Sequence, residues 1–149
     1  MDVPPISPLL FYRDPKAALD FLERAFGFET RMVVDDGQGG VIHSETLYEG
    51  HVVMVSGAVH SDKYASPLDL GRRTGAIHVQ VKGGLDALCE RARAAGAEIE
   101  REPADQPYGD RLFTCFDPEG HAWSFGQTIA GLSADQMTAA TGHKVTVKG

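Results

Sequence analysis

The sequence lacks the features that define several classes of protein. It has only two cysteines, Cys89 and Cys115, without the C-x-x-C spacing of zinc knuckles and redox pairs, so we expect reduced, buried thiols. No stretch approaches the ~20 apolar residues that a membrane-spanning helix needs. The N-terminal MDVPPISPLL has no basic region followed by an apolar region, as a secretory signal would. We therefore expect a cytoplasmic protein without a membrane partner.

Positive charge is also scarce. The chain has 14 Lys and Arg residues against 21 Asp and Glu residues, which gives a formal net charge of −7. Nucleic-acid-binding proteins usually carry a basic stripe, whereas the basic clusters here are short, at Arg72-Arg73 and Arg91–Arg93. We expect no nucleic-acid partner. The 149 residues, of which 42% are hydrophobic and 23% charged, suit one globular domain or two small half-domains.

The two halves of the chain resemble each other at an offset of about 70 residues. AFGFE at residues 25–29 aligns with AAGAE at 94–98, and YEGHVVMV at 48–55 aligns with PEGHAWSF at 118–125. Two separated matches at nearly one offset indicate a duplicated unit. The chain then divides into four segments: a first unit at 1–56, a linker at 57–75, a second unit at 76–129 and a C-terminal helical tail at 130–149.

Each unit has the same predicted order of elements, a strand, a helix and three strands. Asp14 and Pro15 are typical of a helix start, and Gly27 of its end. The second unit has a matching helix at 85–95. The tail carries a capping-box pattern at Ser133 and predicts a short helix. The sequence therefore predicts an α+β fold of two tandem β-α-β-β-β units.

These motifs resemble a known superfamily. The resemblance rests on YRDPKAALDFLERAFGFE, IHSETLYEGHVVMVSG, PADQPYGDRLFTCFDPEGHAWSFGQ and the polar helical tail, in that order and spacing. The chain is similar to the vicinal oxygen chelate superfamily, which includes glyoxalase I, bleomycin-resistance proteins, fosfomycin-resistance enzymes and extradiol dioxygenases, and most similar to its PhnB-like branch. The resemblance implies a cup of curved mixed sheet and a homodimer, with units paired within a chain or exchanged between chains.

The resemblance also identifies where metal-dependent members hold their ion. The four positions lie on the first and last strands of each unit and correspond here to Ser7, Met54, Ala76 and Ser124. Hydroxyl and thioether groups are poor ligands for divalent ions that prefer imidazole, carboxylate or thiolate. We therefore expect neither the usual metal nor another cofactor.

Strand pairing predicts which side chains line the cup in the first unit. A two-residue hairpin turn at 49–50 places Glu45 opposite Met54 and His43 opposite Ser56. Directly opposite side chains share a face, so all four are predicted to point into the cup.

The same reasoning applies to the second unit, where small and large residues alternate after the turn. An equivalent turn at 119–120 places Cys115 opposite Ser124 and brings Phe113 and Arg111 to the same face. The predicted lining mixes apolar and polar groups, as small-molecule sites do. Its residues are Phe11, His43, Glu45, Met54, His78, Gln80, Arg111, Phe113 and Ser124.

Three functional hypotheses follow for this cup. The first is metal-free binding of a small organic ligand, as in the bleomycin-resistance branch. The second is a metal-dependent lyase, transferase or dioxygenase with a displaced site at His43, Glu45 and His78, which is a reasonable ligand set. The third is metal-free catalysis, with Glu45 or His43 as general base and Arg111 as an anion clamp. A partner-binding module is disfavoured because the exposed segments show no long apolar stripe.

Overall fold

The computed structural model of the protein describes residues 1–149. It contains eight strands and four helices. In chain order they are β1 (Leu9–Tyr12), α1 (Pro15–Phe26), β2 (Glu29–Asp35), β3 (Val41–Tyr48), β4 (His51–Gly57), α2 (Pro67–Leu70), β5 (Ala76–Gln80), α3 (Leu85–Ala95), β6 (Glu98–Asp105), β7 (Asp110–Phe116), β8 (Ala122–Thr128) and α4 (Ala134–Thr141).

The strands form two four-stranded mixed sheets, which confirms the predicted α+β class. Sheet 1 has the order β1-β4-β3-β2 and sheet 2 the order β5-β8-β7-β6. In each sheet the first strand pairs in parallel with the last, and the remaining pairs are antiparallel. β1 and β5 are therefore edge strands in the same relative position of the two sheets.

Local signals place the helix ends as the sequence predicts. The Asp14 carboxylate accepts a hydrogen bond from the Ala17 N–H at 3.1 Å, and Gly27 ends α1 with a φ of 76°. Only glycine adopts this left-handed conformation without a steric penalty, so the helix stops there. α4 begins with the predicted capping box between Ser133 and Gln136. No helix has the length and apolarity needed to cross a bilayer.

One hydrophobic core joins the two units. α1 contacts α3, and the end of α1 reaches sheet 2, where the Phe26 ring lies 4.7 Å from Phe125 and 5.1 Å from Trp123 between centroids. Twenty buried side chains from both units form a single cluster. Each sheet thus has one face against this core and the helices, and we call the other one its open face.

The first hairpin has the predicted register. Glu45 lies opposite Met54 and His43 lies opposite Ser56. The turn residues Glu49 and Gly50 have φ values of 46° and 80°, as a two-residue turn of type I′ requires. The alternating residues of β4 lie in the core, so these four side chains belong to the open face.

The predicted register of the second hairpin is wrong by one residue. Cys115 lies opposite Trp123 rather than Ser124, and Phe113 lies opposite Phe125. The cause is Pro118, which has no N–H to close a two-residue turn. The hydrogen bond that closes the turn is made by Asp117 instead, whose N–H donates to the His121 carbonyl at 2.9 Å. The loop therefore has three residues.

Candidate functional site

The open face of sheet 1 carries four of the predicted ligand residues. Phe11, His43 and Met54 lie on this face together with Glu45. The His43 ring accepts or donates a hydrogen bond through Nδ1 to Ser56 Oγ at 3.0 Å. This face therefore combines apolar surface with an imidazole and a carboxylate, as predicted.

Glu45 is held by an arginine that sequence reasoning did not connect to it. Arg31 lies at an irregularity in the β2–β3 pairing and donates from Nε to Glu45 Oε2 at 2.7 Å. Its Nη2 is 2.5 Å from the same oxygen but outside hydrogen-bond geometry, and its Nη1 donates to the Asp2 carbonyl at 3.0 Å. The ion pair is largely buried, so the Glu45 carboxylate is already engaged.

The open face of sheet 2 carries a chain of hydrogen bonds. Ser124 Oγ lies 2.9 Å from Nδ1 of His78, and Nε2 of His78 lies 2.8 Å from Oε1 of Gln80. The Gln80 amide nitrogen donates to Asp110 Oδ2 at 3.1 Å and to Thr128 Oγ1 at 3.0 Å. Three predicted site residues are therefore joined directly to one another.

Small residues of β8 make room for this chain of side chains. A Cβ on Gly126 would lie 2.8 Å from Gln80 Oε1 and 3.1 Å from His78 Cε1. Such distances are too short unless a side chain moves. A glycine is thus needed at position 126 because the side chains of Gln80 and His78, from the neighbouring strand β5, lie over it.

Phe113 and Arg111 are not on the open face, which corrects their prediction. Phe113 is fully buried in the core and stacks on Phe125 with ring centroids 5.0 Å apart. Arg111 pairs with Asp86 of α3 at 2.8 Å and with Asp105 at 2.9 Å. Its hydrogen bonds to Asp86 and Asp105 raise the pKa of the guanidinium further. The one-residue shift of the second hairpin sends both residues to the helix side.

A groove of about 470 Å³ lies between β1, the 57–75 segment and the start of β5. Its lining is mostly apolar and includes Leu9, Phe11, Ala76 and Ala122. Tyr64 stacks on Phe11 with ring centroids 4.1 Å apart and an interplanar angle of 6°. The sequence did not point to Tyr64, because nothing local shows where a long connecting segment packs.

A second groove, of about 370 Å³, contains His78 and Gln80. It is lined by the start of β4, residues before β1 and residues of β5. Neither groove includes His43 or Glu45. Within one chain, the predicted ligand residues of sheet 1 and sheet 2 therefore do not line a common cavity.

The turn DPEGH at residues 117–121 connects the second unit to the first through hydrogen bonds. Asp117 is buried and accepts hydrogen bonds from Tyr12 Oη at 2.5 Å and Trp123 Nε1 at 3.2 Å. Glu119 accepts the N–H groups of Arg13 and Asp14 at 2.6 and 2.9 Å, just ahead of α1. Burial raises the pKa of Asp117, while the hydrogen bond from Tyr12 opposes that shift. Asp117 and Glu119 are thus structural and line neither groove, whereas His121, the last residue of the turn, lines the groove beside β1.

The duplicated sheets and their open faces agree with a match to a family model. The model of the glyoxalase/bleomycin resistance protein/dioxygenase superfamily matches residues 6–125. The chain belongs to this superfamily. A Mycobacterium bovis relative described as an uncharacterized protein is 34% identical over 140 residues, covering 92% of this chain and 91% of its own.

Two solved structures show the same fold as this chain. TioX from Micromonospora sp. ML1 is 29% identical, with a TM-score of 0.63 over 83% of this chain and 97% of its own. A variant of the fosfomycin resistance protein FosX from Listeria monocytogenes, complexed with Mn(II) and a dihydroxypropylphosphonic acid, is 19% identical. Its TM-score is 0.62, over 93% of this chain and 97% of that one.

The residues that the resemblance assigns to the superfamily's metal positions lack the donor groups that divalent ions prefer. Ala76 offers no donor, Met54 offers a thioether, and Ser124 is bonded to His78. Ser7 precedes β1 rather than lying within it, and its Oγ is buried without a partner. A neutral hydroxyl and a thioether do not replace the carboxylates and imidazoles that such ions prefer.

The alternative ligand set is not assembled within the chain. Donor atoms of His43, Glu45 and His78 do not cluster. The one group of three potential ligands brought together is Cys89, Glu90 and Glu102. Arg93 already donates to both of its carboxylates, at 3.4 and 2.6 Å, so a guanidinium lies where an ion would.

Proposed function

We propose that the protein binds a small organic ligand on the open faces of its sheets, without the metal that other superfamily members use. The observation that carries the proposal is the groove beside β1. Its volume of about 470 Å³ lies within the ~300–1,000 Å³ range of ligand sites, and its lining is mainly apolar. Binding without a metal is supported by Ser7, Met54, Ala76 and Ser124, which offer no carboxylate or imidazole to a divalent ion.

The stacked pair of Phe11 and Tyr64 favours a ligand with a flat apolar part. Tyr64 is 56% exposed, so one face of the pair is open to a further ring. Lys63 and His121 also line the groove and supply positive or hydrogen-bonding groups at its edge. A planar molecule with a polar or anionic substituent fits this combination.

The other predicted ligand residues divide between the two open faces. His43, Glu45 and Met54 belong to sheet 1, and His78, Gln80 and Ser124 belong to sheet 2. We propose that a second copy of the chain, in a homodimer, brings the two sets around one ligand. The exposure of Leu9 and Val34, at 44% and 42%, supports such pairing, because both are apolar. Assignment to the PhnB-like branch remains a prediction.

Fluorescence of 1-anilinonaphthalene-8-sulfonate tests the groove, because this probe has a flat naphthalene ring and an anionic sulfonate. We expect saturable binding that weakens at least about tenfold in Phe11→Ala and Tyr64→Ala, since each removes half of the stacked pair. Tyr108→Ala is the matched control, because Tyr108 is 41% exposed and lines neither groove. Equal loss in the control, or no saturable binding, would overturn the proposed site.

Sedimentation equilibrium tests the homodimer. We expect a mass of two chains at micromolar concentration and a shift toward the monomer when Leu9 and Val34 are both changed to aspartate. Such charges on an apolar contact face oppose association. A wild-type protein that is monomeric at all concentrations would contradict the dimer. It would not contradict the proposed ligand site in the groove beside β1.

A further inference from the structure

We propose that Ser124 and His78 form a nucleophile–base pair that transfers acyl groups from small activated esters without a metal. The inference deepens the proposed function, on which it rests for the access of small organic molecules to the open face. It depends on the direction of three linked hydrogen bonds, on the space beside them and on the exposure of the pair.

The direction of the hydrogen bonds follows from Asp110. An ionised carboxylate only accepts, so the NH₂ group of Gln80 must face Asp110 Oδ2 at 3.1 Å. Gln80 Oε1 then faces His78 Nε2 at 2.8 Å, and that nitrogen must carry the proton.

The tautomer of His78 determines the role of the serine. With the proton on Nε2, Nδ1 holds a lone pair, and Ser124 donates its hydroxyl to this nitrogen at 2.9 Å. This is the arrangement that a serine nucleophile and its general base require, with a third group orienting the base. Gln80 and Asp110 are positioning residues in this arrangement.

The acyl transfer needs only an ester and water as reactants. Ser124 Oγ forms a bond to the ester carbonyl carbon while its proton passes to His78 Nδ1. The bond from that carbon to the leaving alcohol breaks, and the alcohol takes the proton from Nδ1. Water then hydrolyses the acyl-serine by the reverse route, giving a carboxylic acid and restoring the hydroxyl.

The site is open to reagents and shaped for the pair. His78 is exposed and Ser124 is half-buried, so an ester can approach from the open face. Gly126 leaves the space that Gln80 Oε1 and His78 Cε1 occupy, at 2.8 and 3.1 Å from where a Cβ would lie. Gly126→Ala would therefore displace the orienting amide without removing any reacting group.

The protein contains its own comparison for this pair. His43 Nδ1 lies 3.0 Å from Ser56 Oγ on the open face of sheet 1. No hydrogen bond is made by His43 Nε2, and Ser56 is only 7% exposed. A histidine and a serine therefore meet there without an orienting amide, and an ester has little access to Ser56. We expect that Ser56 does not react with the ester.

The test uses the full chain and 4-nitrophenyl acetate. We expect a burst of nitrophenolate, with one acetyl group found on Ser124 by peptide mass spectrometry. Ser124→Ala should abolish the burst, and His78→Gln should slow it by about 100-fold, the usual scale of general-base assistance. Gly126→Ala should slow it to a lesser extent, and circular dichroism should show that each variant remains folded.

A pH profile separates positioning from a merely structural role. Gln80→Glu places a carboxylate beside His78 Nε2, where it stabilises the imidazolium, so acylation should require a higher pH than in the wild-type protein. If residue 80 does not contact His78 Nε2, Gln80→Glu would change the amplitude and leave the midpoint of the profile in place. An unchanged midpoint would overturn the positioning role.

Three outcomes would overturn the nucleophile–base pair: acetylation of Ser56 or a lysine in place of Ser124, an equal burst in Ser124→Ala, or an unchanged rate in His78→Gln. Binding of 1-anilinonaphthalene-8-sulfonate is measured on the same samples. Probe binding without acetylation contradicts only the pair, whereas acetylation without probe binding contradicts only the ligand groove.

Discussion

The guanidinium of Arg31 lies against the Glu45 carboxylate on the open face of sheet 1, with 2.7 Å between Nε and Oε2. The side chains are 14% and 7% exposed, so water screens the pair poorly. Removing one partner of such a pair leaves the other charge buried and uncompensated. The stability of sheet 1 and the availability of Glu45 to a ligand are therefore coupled.

Glu45→Gln should lower the free energy of unfolding by about 2–4 kcal/mol, because Arg31 loses its counter-charge. Urea denaturation at neutral pH measures the change. Replacing both partners, Arg31→Met with Glu45→Leu, should recover most of the loss. The control is Glu100→Gln, since Glu100 is exposed and 3.8 Å from Arg101, and we expect less than about 0.5 kcal/mol there. A Glu45→Gln variant as stable as this control would contradict the buried pair.

The register of the second hairpin can be tested through Leu112 and Phe113, which occupy opposite faces of β7. Phe113→Ala should cost about 3–5 kcal/mol, because a fully buried ring is lost from the core. Leu112→Ala should cost much less, about 1 kcal/mol, since Leu112 is only half-buried and faces Gly126. Urea denaturation of both variants decides between the registers. The reverse order of costs would restore the register predicted from a two-residue turn.

Comparison of the two hairpins shows which parts of this fold are predictable from the sequence. Glu49 and Gly50 adopt the positive φ values of a two-residue turn, so the register follows from local chemistry. The second turn has a similar triplet, but Pro118 removes one backbone donor and changes the loop length. That proline was the available signal, and a one-residue error was enough to misplace Phe113 and Arg111.

Contacts between distant segments were not predictable in the same way. Alternation correctly placed His78 and Ser124 on one face, but their hydrogen bond depends on the parallel register of β5 and β8. Arg31 reaches Glu45 from an irregularity in strand pairing, and Tyr64 stacks on Phe11 from a long connection. Neither feature has a periodic or local signature in the chain.

Asp117 should be important for stability because it accepts hydrogen bonds from two buried donors, Tyr12 and Trp123. Asp117→Asn turns part of the acceptor into a donor and should cost about 1–3 kcal/mol in urea denaturation at neutral pH. Asp20→Asn is the control, because the Asp20–Arg24 pair is exposed, and we expect less than about 0.5 kcal/mol.

The cost of Asp117→Asn should also depend on pH. Burial raises the pKa of Asp117 above that of an unfolded aspartate, so its favourable contribution is complete in acid and declines as the pH rises through the raised pKa. The difference between wild-type and variant should therefore be larger near pH 4 than near pH 7. A difference that grows with pH would mean that the hydrogen bonds outweigh burial.

The buried thiols predict a loss of stability in alkali. Burial, with a smaller contribution from Cys89, raises the pKa of Cys115 to about 12 from an ordinary value near 9. Because the folded pKa is the higher one, this stabilising contribution is complete below about pH 9 and declines between there and about pH 12. Urea midpoints between about pH 8 and 11 should fall more steeply for the wild-type protein than for Cys115→Ala. Tyr12, whose pKa burial also raises, is common to both proteins and cancels from the comparison.

Ellman's reagent at about pH 8 should find no rapidly reacting thiol in the folded protein and two in urea. Parallel urea curves, or a fast thiol in the folded state, would show that Cys115 is more accessible than its full burial indicates.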